Sequence, residues 1–214
     1  MTIKTLYSNG FAPSPLRVNL MLKLKGIQLE TVDIDLMTGA QFSEDYKKIS
    51  KEGTVPAAVL EDGTVLTDVI AILNFIENSY PESQRLMGNN ATEQAQILGL
   101  IHRIYFLGLA SVAEVLRNGY APGFENRAMP GSLAIKQIPE LMERGRSRLG
   151  HFYEQMNQQL EGRAFLVGEA ISQADLDLFV LCKFAGMIKE KLDPNQVPNL
   201  ASHFAHVGNI IETA

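Results

Sequence analysis

The sequence predicts an α/β domain with the element order βαβαββα over residues 1–80, followed by an all-helical domain over residues 91–214. Strand-like and helix-like segments alternate in the first eighty residues, whereas long helical patterns dominate after Pro81. Between them, residues 81–90 are polar and end in Gly88-Asn89-Asn90, which indicates a linker.

The first strand is predicted at residues 3–7, which are rich in β-formers and are followed by Asn9-Gly10. A helix is predicted over residues 15–25, where Ser14 would be the N-cap, Pro15 the first helical residue and Gly26 the stop. A second strand follows at residues 29–34. Because a helix joins the two strands, they should be parallel with a right-handed crossover.

The second half of this domain is predicted to be a short polar helix at residues 42–49, a β-hairpin and an apolar helix. Two apolar runs, residues 55–60 and 65–66, flank Glu61-Asp62-Gly63, which is typical of a hairpin. Thr67-Asp68 then opens a helix that Pro81 ends. This order is a thioredoxin-like layout.

Four helical regions are predicted in the second domain. The first is one long helix with a kink near Gly108. The regions span residues 92–117, 132–160, 172–189 and 199–211, with a Gly/Pro-containing loop at residues 118–131.

Composition excludes several classes of protein. The chain has 214 residues and a net charge of −5, so nucleic acid is not expected as the main partner. The single cysteine, Cys182, excludes an internal disulfide framework and fits a reducing compartment. The uncharged apolar run at residues 104–113 is shorter than the ~20 residues of a membrane span. The N-terminus does not resemble a signal peptide, so the expected location is cytoplasmic.

The histidine pattern does not indicate a metal site. His203 and His206 share a helix face without a third ligand, so no metal is expected.

Two local patterns in the α/β domain have both a structural and a functional interpretation. Pro56 is either an ordinary strand-start proline or a cis proline, which would leave the Val55 backbone free to pair with an extended peptide. Thr67-Asp68 is either a simple N-cap or a site where free N–H groups attract an anion and Asp68 binds an ammonium. An amino-acid moiety carries both charges.

Taken together, these residues resemble the cytosolic glutathione S-transferase family, in particular a bacterial, serine-type-like member with an altered first motif. The resemblance runs from about residue 3 to residue 190, nearly the whole chain, and depends on six short segments. They are Ala12 to Val18, Gly39-Ala40-Gln41, Val55-Pro56, Leu66 to Ile72, Phe165 to Gly168 and Ser172 to Leu176. The last of these fits a capping box, in which Ser172 and Asp175 exchange hydrogen bonds.

The resemblance implies an enzyme that conjugates the glutathione thiolate to a small hydrophobic electrophile, with glutathione as co-substrate, no metal, and a homodimeric assembly. Val55 and Pro56 would hold the cysteinyl backbone and Gln41 the glycyl end. Asp68 would take the ammonium, and the Val69 N–H the γ-glutamyl carboxylate. Ser14 or Tyr7 would face the sulfur. Arg103, Tyr105 and Phe106 would line the electrophile site, unless they pack in the core.

Two positions depart from the family pattern, because Ala12 and Val69 stand where serines are usual. They leave room for a non-catalytic binding or interaction protein of the same fold. A glutathione-dependent isomerase or peroxidase would differ only in its substrate. Ser14 is either the N-cap of the first helix or the sulfur ligand, and Tyr7 either donates to the sulfur or packs.

Overall fold

The computed structural model describes residues 1–119 and 123–214, and the chain divides into two compact units. The first unit comprises Met1–Leu86 with Pro130–Ser132, and the second comprises Met87–Met129 and Leu133–Ala214. The short segment belongs to the first unit because Glu52 Oε2 accepts hydrogen bonds from Ser132 N–H (3.1 Å) and Oγ (2.7 Å). These two bonds lower the pKa of Glu52.

The first unit is built on a four-stranded sheet with the strand order β2-β1-β3-β4. β1 is parallel to β2, whereas β3 is antiparallel to both β1 and β4. The element order βαβαββα and the strand directions are therefore confirmed. The elements are β1 (Ile3–Ser8), α1 (Pro13–Leu24), β2 (Thr31–Asp33), a 3-10 turn (Ala40–Phe42), α2 (Glu44–Lys47), β3 (Ala57–Leu60), β4 (Val65–Leu66) and α3 (Val69–Ser79).

Helix α1 begins two residues earlier than predicted. Its N-cap is Ala12 rather than Ser14, so the prediction that Ser14 caps the helix is wrong. The cause is Asn9, which is buried and whose Oδ1 accepts hydrogen bonds from the N–H groups of Phe11 (3.0 Å) and Ala12 (2.9 Å). This side chain fixes the loop so that helical geometry starts at Pro13, a position where a missing N–H costs nothing. The predicted stop at Gly26 is confirmed, with φ +66°.

A buried ion pair lies within the first unit. Lys25 Nζ is 2.9 Å from Glu77 Oε2, and the exposed fractions of the two side chains are 0% and 3%. Lys25 also donates to Ser83 Oγ (2.9 Å) and to the Gln84 carbonyl (2.7 Å). Since an ammonium has three donors, each finds an acceptor. The network ties the chain that follows α3 to the end of α1.

The second unit is helical, and its first helical stretch runs continuously over residues 91–119. The predicted irregularity near Gly108 is a π-helical turn rather than a simple kink. A Cβ on Gly108 would lie 3.2 Å from the Phe152 ring and closer still to Leu181, so any larger residue there would force these side chains to move. The elements are α4 (Ala91–Arg103), the π-turn (Ile104–Leu109), α5 (Ala110–Gly119), α6 (Glu140–Gln159), α7 (Gln173–Met187) and α8 (Pro198–Thr213).

Helix α6 is shorter than predicted. Residues 132–139 are irregular, so the helix starts at Glu140 and not at Ser132. Asn118 Oδ1 accepts from the Ile138 N–H (2.9 Å), and Gln137 Nε2 donates to the Arg117 carbonyl (2.8 Å). The first of these bonds occupies the Ile138 N–H, which a helix over residues 132–160 would use in its own ladder. Of the loop predicted at residues 118–131, residues 120–122 lie outside the described residues.

The stretch Ala91–Gly119 is long and apolar enough to cross a membrane by length and composition alone. A core helix passes the same test, and Ile97, Ile104 and Val112 of this stretch are almost fully buried. α4 packs on α7, and α5 packs on α6. The apolar face of the stretch therefore lies in the core of the helical unit.

The predicted capping box at the start of α7 is present. Asp175 Oδ2 accepts from the N–H (2.8 Å) and the hydroxyl (2.7 Å) of Ser172. Its other oxygen accepts from the Leu166 N–H (2.8 Å) and lies 2.9 Å from His203 Nε2. All of these groups are buried, so one carboxylate joins a loop, α7 and α8.

Candidate active site in the thioredoxin-like unit

The strand register brings several predicted site residues to one end of the sheet. β3 pairs with β1 through Tyr7↔Ala57 and with β4 through Ala58↔Leu66. Continuing both registers toward the start of β3 puts residues 55–56 beside residues 8–9 on one side and residues 68–69 on the other. The loop into α1, the start of β3 and the start of α3 therefore meet at this end.

The Val55 backbone is available for pairing. Within the described residues, neither the Val55 N–H nor its carbonyl makes a hydrogen bond, and the Val55–Pro56 peptide bond is cis. The Val55 side chain packs against a cluster formed by Ile34, Tyr46 and Ala57. A residue held by its side chain with an unused N–H and C=O can bind an extended peptide as an added strand would.

Sequence reasoning missed the residues that hold this segment in place. The buried Tyr46 donates from its hydroxyl to the Thr54 carbonyl (2.7 Å), and Ser50 Oγ accepts from the Thr54 N–H (3.1 Å). Burial raises the pKa of Tyr46 to about 12. Gly53 has φ +62°, and a Cβ there would lie 2.7 Å from the Gln41 carbonyl. Only a residue without a side chain allows this approach.

The N-terminus of α3 offers a partner for each of the two charges of an amino-acid moiety. Asp68 occupies the N-cap position, yet its carboxylate is exposed and makes no cap bond. The N–H groups of Val69 and Ile70 are the first of the helix and have no intrahelical acceptor. Together these groups offer an acceptor for an ammonium and donors, reinforced by the helix dipole, for a carboxylate.

Gln41 carries an unused polar atom. The residue is only 3% exposed, and its Oε1 has no hydrogen-bond partner within the described residues. A buried, unpaired acceptor costs about 1–3 kcal/mol, so such an atom is unusual unless something binds to it. Its neighbour Ala40 packs against the same cluster as Val55.

The two candidate hydroxyls differ in their surroundings. Ser14 lies in the first turn of α1 and is half-buried. Pro13 and Pro15 on either side of it lack an N–H, so Ser14 supplies the one peptide donor among the first three residues of the helix. The ring of Tyr7 packs against Tyr46, with the ring centres 5.7 Å apart, and the residue is half-buried.

The three residues predicted for the electrophile site lie in the second unit and are exposed. Tyr105 and Phe106 are 52% and 55% exposed, so the alternative of core packing is wrong for both. Phe106 stacks on His102, and the Arg148 guanidinium lies 5.6 Å from its ring centre. Arg103 lines a separate cleft of the helical unit.

Among the described residues, no group of three or more His, Cys, Asp or Glu side chains is arranged to hold a metal ion.

A thioredoxin-like unit followed by an all-helical unit defines the glutathione transferase-like fold class. The family model for the glutathione S-transferase N-terminal domain matches residues 11–79, and the one for the C-terminal domain matches residues 140–211. The chain belongs to the cytosolic glutathione S-transferase family.

Individual relatives agree with this assignment. The chain is 25% identical to glutathione S-transferase GstA of Escherichia coli O157:H7 over 193 residues, covering 89% of this chain and 86% of that protein. It is 42% identical to glutathione S-transferase Z1 of Arabidopsis thaliana over 77 residues, which are 36% of this chain but only 34% of the length of that relative. A glutathione S-transferase from Methylobacillus flagellatus KT, solved with glutathione bound, has the same fold with a TM-score of 0.77. It is 22% identical, over 94% of this chain and 92% of that one.

Proposed function

We propose that this protein binds glutathione at the described end of the sheet and adds its thiolate to a small hydrophobic electrophile. The observation that carries the proposal is the exposed Asp68 carboxylate, which does not cap its own helix, beside the free N–H groups of α3. This pairing suits the zwitterionic γ-glutamyl end of glutathione. The bound molecule in the Methylobacillus relative supports the choice of ligand.

The remaining parts of glutathione would meet the other unused groups. The Val55 N–H and C=O would pair with the cysteinyl backbone, next to Pro56. Gln41 would bond the glycyl end, where the amide N–H of the ligand would satisfy the buried Oε1. At Val69 only the backbone N–H can bind the γ-glutamyl carboxylate. A missing side-chain hydrogen bond to a charged group weakens binding by about 1.5–3 kcal/mol, roughly ten- to a hundredfold.

Ser14 is the group proposed to stabilise the sulfur. A free thiol has a pKa of ~8.5, so half-ionisation at pH 7 requires about 2 kcal/mol of stabilisation of the thiolate. The N-terminus of α1 supplies about 0.3–1 kcal/mol. A hydrogen bond from the Ser14 hydroxyl or N–H adds about 1.5–3 kcal/mol. The helix N-terminus and the Ser14 hydrogen bond together supply the required stabilisation of the thiolate, without a serine at position 12.

Calorimetry with glutathione tests the binding site. Asp68→Asn should raise the Kd for glutathione about tenfold, because the ammonium loses its counter-charge while the fold is unchanged. Glu30→Gln is the matched control, since it removes an exposed carboxylate from the same unit at the start of β2. Equal affinities in both variants would contradict the proposed site.

A second measurement separates binding from catalysis. The thiol pKa of bound glutathione, followed through the ultraviolet absorbance of the thiolate, should rise in Ser14→Ala and stay unchanged in Tyr7→Phe.

Turnover is then measured with a panel of aryl halides, epoxides and unsaturated carbonyls. Tyr105 and Phe106 are the aromatic groups proposed to contact these electrophiles. Tight binding without turnover of any electrophile would favour the non-catalytic alternative that Ala12 and Val69 suggest.

A homodimer located in the cytoplasm is proposed by analogy with the family. Sedimentation that shows a 23.6 kDa particle would contradict the dimer.

A further inference from the structure

The helical unit contains a cleft that the proposed function does not use. Its volume is about 340 Å³, and it lies between α4 and the segment that follows α6. Gln96, Arg103, Gln159 and Arg163 contribute polar side chains to its walls, and the buried Leu100 and Leu166 contribute apolar surface. A space of this size can hold a small metabolite.

The two arginines of this cleft differ from the others that the structure describes. Seven arginines have a hydrogen bond, an ion pair or another electrostatic contact, whereas the side chains of Arg103 and Arg163, both exposed residues, have none within the described residues. The seven are Arg17, Arg85, Arg117, Arg127, Arg144, Arg146 and Arg148.

The charge of the cleft is uniformly positive. No Asp or Glu is among its lining residues, although the whole chain has a net charge of −5. On its other side Arg163 borders a second cleft, of about 370 Å³, which also contains His206 and again lacks carboxylates. Two unpaired guanidinium groups beside two side-chain amides provide many N–H donors and no counter-ion.

We propose that this cleft binds a small molecule through an oxyanion group, with Arg103 and Arg163 as the charged ligands. The planar guanidinium matches the geometry of phosphate, sulfate and carboxylate oxygens, and two of them favour a doubly charged group. Gln96 and Gln159 donate further hydrogen bonds. The apolar surface of Leu100 and Leu166 accommodates the body of the ligand. This site is independent of glutathione binding.

Isothermal titration with inorganic phosphate, sulfate and succinate, in a chloride buffer, tests the proposal and distinguishes the oxyanions. The wild-type protein should bind at least one of them saturably at one site per chain, equally with and without saturating glutathione. Arg103→Gln and Arg163→Gln should each weaken binding about tenfold or more, which is the loss of one charge-assisted contact.

Two further variants keep the test decisive. Gly99→Leu fills the cleft without removing charge, because a Cβ at Gly99 meets no atom within 4 Å, and it should abolish binding. Lys183→Gln removes an exposed charge from α7 and should leave the affinity unchanged. The proposal is overturned if no probe binds saturably, if the arginine variants bind as the wild type does, or if glutathione displaces the anion.

Discussion

Replacing Lys25 with methionine should lower the free energy of unfolding by about 3–5 kcal/mol, because the change leaves half of a buried ion pair without its partner. The magnitude follows from the surroundings of the ammonium. It lies 2.7–2.9 Å from acceptors on Glu77, Ser83 and Gln84, and its side chain is 0% exposed. Water therefore cannot replace the lost contacts.

A surface ion pair in the same unit is the matched control. Lys48 Nζ lies 2.7 Å from Asp45 Oδ1, but the side chains are 74% and 93% exposed. Lys48→Met should change stability by less than about 1 kcal/mol, because exposed pairs gain little over hydration. The two pairs thus have similar N–O distances, 2.9 and 2.7 Å, and differ in burial.

Urea unfolding followed by circular dichroism measures both variants. In a double-mutant cycle, Lys25→Met with Glu77→Leu should cost less than the sum of the single changes, with a coupling of about 1–3 kcal/mol. The reasoning is refuted if Lys25→Met costs no more than Lys48→Met, or if the two changes are additive.

Two other outcomes can be measured in the same way. Asp175→Ala should lower the free energy of unfolding, measured with urea, by at least about 3 kcal/mol. The buried N–H groups of Leu166 and Ser172 and the ring of His203 would lose their acceptor, at a cost of about 1–3 kcal/mol each. A loss near 1 kcal/mol would contradict this. Stability should also fall between pH 10 and about pH 12, since the unfolded state releases the Tyr46 proton at the ordinary pKa of 10.0 while the folded state retains it to about 12. Tyr46→Phe should flatten this part of the pH profile, and an unchanged slope in that variant would contradict the assignment.

Local patterns were sufficient for most of the fold. The hairpin around Asp62-Gly63, the helix stop at Gly26 and the capping box of Ser172 and Asp175 depend on residues within a few positions of one another. The residues of each of these motifs favour one backbone geometry, and the packing of the folded protein retains that geometry.

The errors have causes that act over longer distances in the sequence. Asn9 determines the start of α1 through loop hydrogen bonds that no helix-capping pattern contains, so the N-cap lies two positions before the predicted Ser14. The partners Lys25 and Glu77 are 52 positions apart and look like ordinary surface charges in the sequence. Their burial depends on the packing of α1 against α3.

In the candidate site, too, some residues are indicated by local sequence patterns and others only by contacts between distant segments. Asp68 and Val55 are candidates that their own sequence neighbourhoods already indicate. The supporting residues Tyr46 and Gly53 were not, because their role is to hold Thr54 and to allow close approach to Gln41. Positioning of this kind depends on contacts between elements rather than on any motif.

The π-turn at Ile104–Leu109 determines how the long helix meets its neighbour. A π-turn contains one residue more than an α-helical turn and releases a carbonyl from the ladder. The Arg148 Nη2 group of α6 donates to the Phe106 carbonyl at 2.8 Å. Without that extra residue, everything after the turn would rotate by about 100°. Val112 and Val115 would then leave the interior, so a single inserted residue sets the angular phase of α5 against α6.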